Sequence, residues 1–211
     1  LLDLTNAYAA IAAGGLRTPT TGVLALRRPF EAKPFYQLTP KNERVMDAAN
    51  AWLLTSMLSD PEARRSAFGD GGPLNLSRPA AVKTGTTNDF RDNATIGYTP
   101  YLTIGVWTGN KDNRPMRDVL GITGAAPIWH ASMEAAFADD RLMRDLGDGL
   151  PPSDGFDRPA GVVSGQTCDL EPLARGGGCR LESEFFNSRF AVGDEGQNVG
   201  FFQPIAGGCV A

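Results

Sequence analysis

His130 is the only histidine in 211 residues, which excludes a metal site built from several imidazoles. Cysteine is scarce as well: all three lie at or beyond Cys168, in no metal-ligand spacing. No apolar run approaches the roughly 20 residues of a bilayer span, and no signal peptide opens the chain. Positive charge is not in excess. The formal net charge is −4, so composition gives no ground for a nucleic-acid or anionic-membrane partner. Repeats are absent, and low complexity is confined to Gly176-Gly177-Gly178. What is there is length enough for one domain with a sizeable core, or one domain with a small appendage. The chain opens at Leu1, without methionine and within a helical pattern, so we read it as a piece of a longer protein.

Leu4, Ala7, Tyr8 and Ile11 fall at helical spacing in residues 1–13, and Gly14-Gly15 supplies a stop. Residues 16–26 are turn-rich with a short strand at 22–26, and 30–37 read as a loop with an aromatic anchor. Thr39-Pro40 offers a hydroxyl cap and a first-turn proline, followed by an apolar stripe of Val45, Met46, Ala49, Trp52, Leu53 and Met57. Asp60-Pro61 starts a second short helix that Gly69 ends. Residues 80–87, 94–98 and 101–107 read as three strands joined by short turns, which argues for an antiparallel sheet. Pro127 opens a helix carrying Ile128, Trp129, Met133 and Phe137. Leu150-Pro151-Pro152-Ser153 marks a boundary. The expected class is α+β, an antiparallel sheet flanked by helices over residues 1–150. Residues 151–211 are then a loop-rich Gly/Pro/Cys-containing tail that starts a small β-rich unit.

The chemistry is concentrated in Ala80-Ala81-Val82-Lys83-Thr84-Gly85-Thr86-Thr87. A small apolar strand ends there in a cation, hydroxyls and a glycine that lets another backbone approach closely. Such an edge suits an anionic, peptide-like ligand. Lys83, Thr84, Gly85 and Thr86 are the candidate site residues, against the plainer reading of a strand-end lysine among ordinary strand threonines. A nucleotide-binding loop fails on order, because its glycines precede the Lys-Thr and here Gly85 follows. Asp89, Arg91 and Asp92 read as a hairpin turn with a surface ion pair. Asn110, Asp112 and Asn113 read as a turn, since the glycine and terminal glutamate of a calcium loop are missing. Trp52, Trp107 and Trp129 read as core aromatics, and His130 as a structural or surface residue rather than a general base.

Lys-Thr-Gly is one of three signatures of penicillin-binding proteins and class A β-lactamases. Its flanks here are Ala63-Arg64-Arg65-Ser66-Ala67-Phe68-Gly69 before it and Asp89-Phe90-Arg91-Asp92-Asn93 after it. Gly97-Tyr98-Thr99-Pro100, Gly105-Val106-Trp107-Thr108-Gly109-Asn110 and Gly124-Ala125-Ala126-Pro127-Ile128-Trp129 follow. In this order they resemble the C-terminal part of the transpeptidase domain of class A penicillin-binding proteins, the 1C type most of all. The resemblance covers Leu1 to Phe186. It implies a bifunctional peptidoglycan synthase in the periplasm or at the outer face of the bacterial cytoplasmic membrane. An upstream anchor and glycosyltransferase domain are implied with it. Its partners would be stem peptides ending in D-Ala-D-Ala and β-lactams, with no cofactor and no nucleic acid. A serine would attack the penultimate D-alanine carbonyl and pass the acyl group to a neighbouring amine. Lys83 would set protonation and charge around that serine. The Thr84 and Thr86 hydroxyls would hold the terminal carboxylate, and the Thr86 N–H would complete an oxyanion hole.

The chain departs from that pattern in one respect that matters. None of its serines is followed three residues on by lysine, and no Ser-x-Asn precedes Lys83. The nucleophile is missing, so these 211 residues are expected to be inactive alone. Two other readings stand beside this one: a non-catalytic module that senses β-lactam or stem peptide, and a serine β-lactamase-like hydrolase. The strand pair at 97–107 and the cysteine-bearing tail point away from the hydrolase. Cys168 and Cys179 bracket a Gly-rich loop, and the extracytoplasmic setting implied by the resemblance makes them an expected disulfide.

Overall fold

Helix α1, Leu2–Ala12, ends where Gly14 and Gly15 take φ of 62° and 89°. From there the chain runs through β1 (Leu16–Arg17), β2 (Ala25–Leu26), β3 (Tyr36–Gln37) and β4 (Glu43–Arg44). In this computed structural model, which describes residues 1–147, 149–150, 152, 154–169, 180–189, 204–205 and 208–209, β1 pairs with β4 and β2 with β3. Both pairs are antiparallel, so residues 16–44 form one long excursion.

The helix start expected at Thr39-Pro40 is not used. Glu43 and Arg44 pair with Arg17 and Leu16, and the Arg44 guanidinium donates to the Gly14 and Met46 carbonyls at 3.1 Å. Helix α2, Ala48–Ser59, starts instead behind Asp47, whose carboxylate accepts from the Ala49 N–H at 2.9 Å. Helix α3, Pro61–Phe68, follows the sequence signals closely. Asp60 accepts from the Glu62 N–H, and Gly69, at φ 71°, closes the helix.

Strands β5 (Ala81–Thr86), β6 (Asp92–Tyr98) and β7 (Thr103–Gly109) form the central antiparallel sheet in the order β5-β6-β7. Side chains alternate between its two faces. One face carries Ala81, Ile96 and Tyr98 and lies under α1 and α2. Tyr98 is fully buried there, 6.3 Å from the Tyr8 ring and with its hydroxyl 2.9 Å from that of Thr55. The opposite face carries Val82, Ile104 and Val106. It packs on helix α4, Ala125–Ala138, through Ala126, Trp129 and Met133. Burying side chains of this size contributes about 1.5–3 kcal/mol each. A Cβ on Gly97 would stand 2.3 Å from the Trp129 ring, so the indole reaches β6 only because position 97 is glycine. Pro127 lies in the first turn of α4, where its missing N–H costs nothing.

Trp107 departs from the expected core position and is 47% exposed, and Trp52 is half-buried. Trp107 shares the face covered by α1, but that cover reaches Gly105, against which Thr5 packs, and leaves the far end of β7 bare.

Helix α5 (Asp140–Leu146), capped by Asp139, was not foreseen. Beyond it β8 (Val162–Asp169) and β9 (Arg180–Asn187) form a hairpin longer than a loop-rich tail implies. The hairpin leans on α2. Phe185 meets Trp52 edge-on at 5.1 Å, Asn187 donates to Asn50 at 2.8 Å, and Arg189 pairs with Asp47 at 3.1 Å. Pro204–Ile205 and Gly208–Cys209 pair as β10 and β11. The Cys168–Cys179 pairing lies outside the described residues.

Candidate active site

The four candidate residues occupy the outer strand β5, whose partner on one side is β6. Alternation sends Lys83 and Gly85 to the face of α1 and α2, and Thr84 and Thr86 to the face of α4. The hydrogen-bond ladder then orients the backbone. Thr87 donates to the Asp92 carbonyl at 3.0 Å, so Gly85, Lys83 and Ala81 exchange bonds with β6 in the same phase. The N–H and C=O of Thr84 and Thr86 consequently point to the open edge. The Thr86 amide is thereby left outside the ladder, open to a ligand at that edge.

Lys83 is exposed and has no carboxylate partner among the described residues; its Nζ donates to the adjacent Thr84 carbonyl at 2.5 Å. Around it the sheet is uncovered. Gly85 is exposed with no atom within 4 Å of where a Cβ would be, and Trp107 stands bare on the same face. A cation, an open edge and an uncovered apolar surface thus lie together at one end of β5.

The loop between β7 and α4 backs the site from the other face. Gly121 donates to the Thr86 hydroxyl oxygen at 3.0 Å, which leaves the hydroxyl proton free for a ligand. Gly121 also lies so close to β5 that a Cβ would meet the Gly85 carbonyl at 2.9 Å and the Thr84 Cβ at 3.1 Å. Asn93, fully buried on β6, holds this loop. Its Oδ1 accepts from the Thr108 hydroxyl at 2.7 Å and from the Ala125 N–H at 3.0 Å, while its Nδ2 donates to the Val119 carbonyl at 3.2 Å. Helix α4, which has no cap of its own, is capped by Asn93 from across the sheet.

Sequence reasoning missed Asn93 and Gly121 as supports of the site. Asn93 stood within a recognised flank, but its partner is 32 positions away. The other expectations fall as read. Asp89 and Arg91 form an exposed ion pair at 3.6 Å, and Asp112 pairs with Arg114 in a turn where Asn113 takes φ 59°. His130 is a half-buried residue of α4.

An antiparallel sheet between helices, with Lys-Thr-Gly on its outer strand, defines an α+β fold of the penicillin-binding transpeptidase type. Penicillin-binding protein 1A from Haemophilus influenzae shares it with a TM-score of 0.66 and 19% identity, covering 89% of this chain and 32% of that one. The penicillin-binding protein PonA1 from Mycobacterium tuberculosis matches with a TM-score of 0.51 and 28% identity, over 65% of this chain and 38% of its own. By sequence, penicillin-binding protein 2D of Bacillus subtilis is 29% identical over 203 residues, 94% of this chain and 27% of that protein. Penicillin-binding protein 1A of Pseudomonas aeruginosa is 38% identical over 112 residues, 52% of this chain and 13% of that protein. No protein-family model matches. The homologues of this chain are therefore class A penicillin-binding proteins, and it spans 27% or less of the length of these two.

Proposed function

We propose that this chain supplies the Lys-Thr-Gly half of a serine D,D-transpeptidase site in a class A penicillin-binding protein, of the 1C type by its sequence flanks. The observation that supports it best is the open edge of β5, where the Thr86 N–H lies together with a Lys83 that has no carboxylate partner among the described residues. A stem peptide ending in D-Ala-D-Ala, or a β-lactam, lies along that edge as an added strand. The Thr84 and Thr86 hydroxyls take its carboxylate, and the Thr86 N–H takes the developing oxyanion. Lys83 and the bare surface beside Gly85 and Trp107 face a serine carried outside these 211 residues. The serine forms an acyl-enzyme by expelling the terminal D-alanine, and a neighbouring strand's amine then takes the acyl group.

The parent protein on this reading is periplasmic, anchored by an upstream membrane helix and joined to a glycosyltransferase domain. Residues 1–150 belong to the transpeptidase domain and 151–211 to an appendage, whose strand β9 packs on α2. The second reading is a module that binds stem peptide or β-lactam without turning it over.

Fluorescent penicillin tests both. The 211-residue chain alone should form no covalent adduct, whereas the chain joined to its upstream coding sequence should be labelled. In that longer protein Lys83→Ala should slow acylation by about a hundredfold or more, within the usual range for removing an acid–base group. Acylation by Lys83→Ala at the parent rate, with an unchanged melting temperature, would show that β5 is not a catalytic strand.

A further inference from the structure

We infer that Thr95 is a positioning residue of the proposed transpeptidase site, fixing through Gly121 the direction in which the Thr86 hydroxyl offers its proton. The inference rests on the transpeptidase reading and extends the site beyond the Lys-Thr-Gly strand. Register pairs Thr84 with Thr95, Thr86 with Asn93, and Asn93 in turn with Thr108. Directly paired residues project to the same face, so these side chains form one polar patch on the face of α4. The rest of that face is apolar, with Val82, Ile104 and Val106 against Ala126, Trp129 and Met133. Thr95 lies on the middle strand and is fully buried, so it reaches no ligand itself.

A buried hydroxyl in such surroundings must find a partner, and Thr95 donates to the Gly121 carbonyl at 3.3 Å. The same carbonyl accepts from the Ala126 N–H at 2.9 Å, in the first turn of α4. Gly121 is thus held at its carbonyl while its N–H donates to the Thr86 oxygen at 3.0 Å. A threonine hydroxyl has one proton and two lone pairs. With the Gly121 N–H on one lone pair, the Thr86 proton is turned away from the loop. Only glycine permits this approach, since a Cβ on Gly121 would stand 2.9 Å from the Gly85 carbonyl and 3.2 Å from that of Ala94. Asn93 grips the loop at Val119 and Ala125, and Thr95 grips it between them. All these partners lie within the sheet, its loop and α4, so the arrangement is independent of what else packs against the chain.

The test uses the longer protein, this chain joined to its upstream coding sequence. Acylation by benzylpenicillin and by its carboxyl methyl ester is read by competition with a fluorescent penicillin. Thr95→Val keeps β-branching and removes only the hydroxyl. It should slow acylation by the acid about three- to tenfold, the range of one hydrogen bond. The ester should be slowed less, because a neutral acceptor holds a donor more weakly than a charged one. Thr95→Ser retains the hydroxyl and should acylate at the parent rate. Gly121→Ala, which lifts the loop off β5, should show the same loss of preference for the acid, and serves where Thr95→Val lowers the melting temperature. In a Thr86→Val background Thr95→Val should add nothing, because its effect runs through that hydroxyl. Parent rates in Thr95→Val, equal slowing toward acid and ester, additive slowing with Thr86→Val, or an unchanged acid preference in Gly121→Ala overturns the inference and leaves the transpeptidase reading intact. A parent protein that penicillin does not label overturns that reading, and this inference with it.

Discussion

The Thr86 hydroxyl accepts a 3.0 Å hydrogen bond from the Gly121 N–H, so a residue of the candidate site also anchors the loop behind it. One side chain therefore serves two ends, and substituting it should disturb both.

Thr86→Val keeps β-branching and the strand, but it leaves the Gly121 N–H without an acceptor. An unsatisfied buried donor costs about 1–3 kcal/mol. We expect that loss of stability in urea, with faster hydrogen exchange at the Gly121 amide. Unchanged exchange at Gly121 would mean the hydroxyl does not hold the loop.

Two glycines of the central sheet should respond in opposite ways. Gly97→Ala drives a methyl group into Trp129 at 2.3 Å and the Ala81 carbonyl at 2.9 Å, an overpacking that costs about 1–3 kcal/mol. Gly85→Ala meets nothing within 4 Å and should stay within about 0.5 kcal/mol of the parent chain. Melting temperatures of the pair decide the matter. Equal losses would contradict the packing described for β5 and β6.

Asn93→Ala removes the acceptor shared by Thr108 and Ala125 and the donor to Val119. Several buried groups lose their partners at once, and we expect a cost of at least about 2 kcal/mol. The first turn of α4 should show the largest rise in hydrogen exchange. A uniform rise across the helix, with no maximum at its start, would argue against capping by Asn93.

Burial pushes the Tyr98 hydroxyl up to about 12. In the unfolded chain a tyrosine titrates near 10, so the folded state resists ionisation. Its contribution is intact below about pH 10 and is lost as pH rises from there through the folded value, about 3 kcal/mol in full. Burial raises Tyr8 in the same direction. Tyr98→Phe should remove most of the alkaline decline in the unfolding midpoint, and Thr55 keeps its bond to the Ala51 carbonyl at 2.9 Å. A decline as steep in the variant as in the parent chain would place the titrating group elsewhere.

Part of this architecture was legible beforehand because its signals are local. Asp60-Pro61 and Gly69 delimit α3 through caps within a few residues of the helix, and the strand order at 81–109 follows from short turns between short apolar runs. The start of α2 was not legible. Thr39-Pro40 and Asp47 are both competent caps, and the choice fell to pairing of Glu43 and Arg44 with a strand more than twenty residues earlier. Trp107 was misread for a related reason. Composition marks it as apolar, but only the reach of α1 decides which end of that sheet face is covered.

The candidate site divides in the same way. Lys83, Thr84, Gly85 and Thr86 are contiguous, so the sequence alone determined that a cation, two hydroxyls and an approachable backbone would share one strand. Only the tertiary structure decided that β5 lies at the edge of its sheet, that the Thr86 N–H faces outward, and that Asn93 and Gly121 hold it from behind. Local spacing constrains side-chain type and period, which act between neighbours. Edge position and capping across a sheet depend on which distant residues meet, and that is settled only when the whole chain packs.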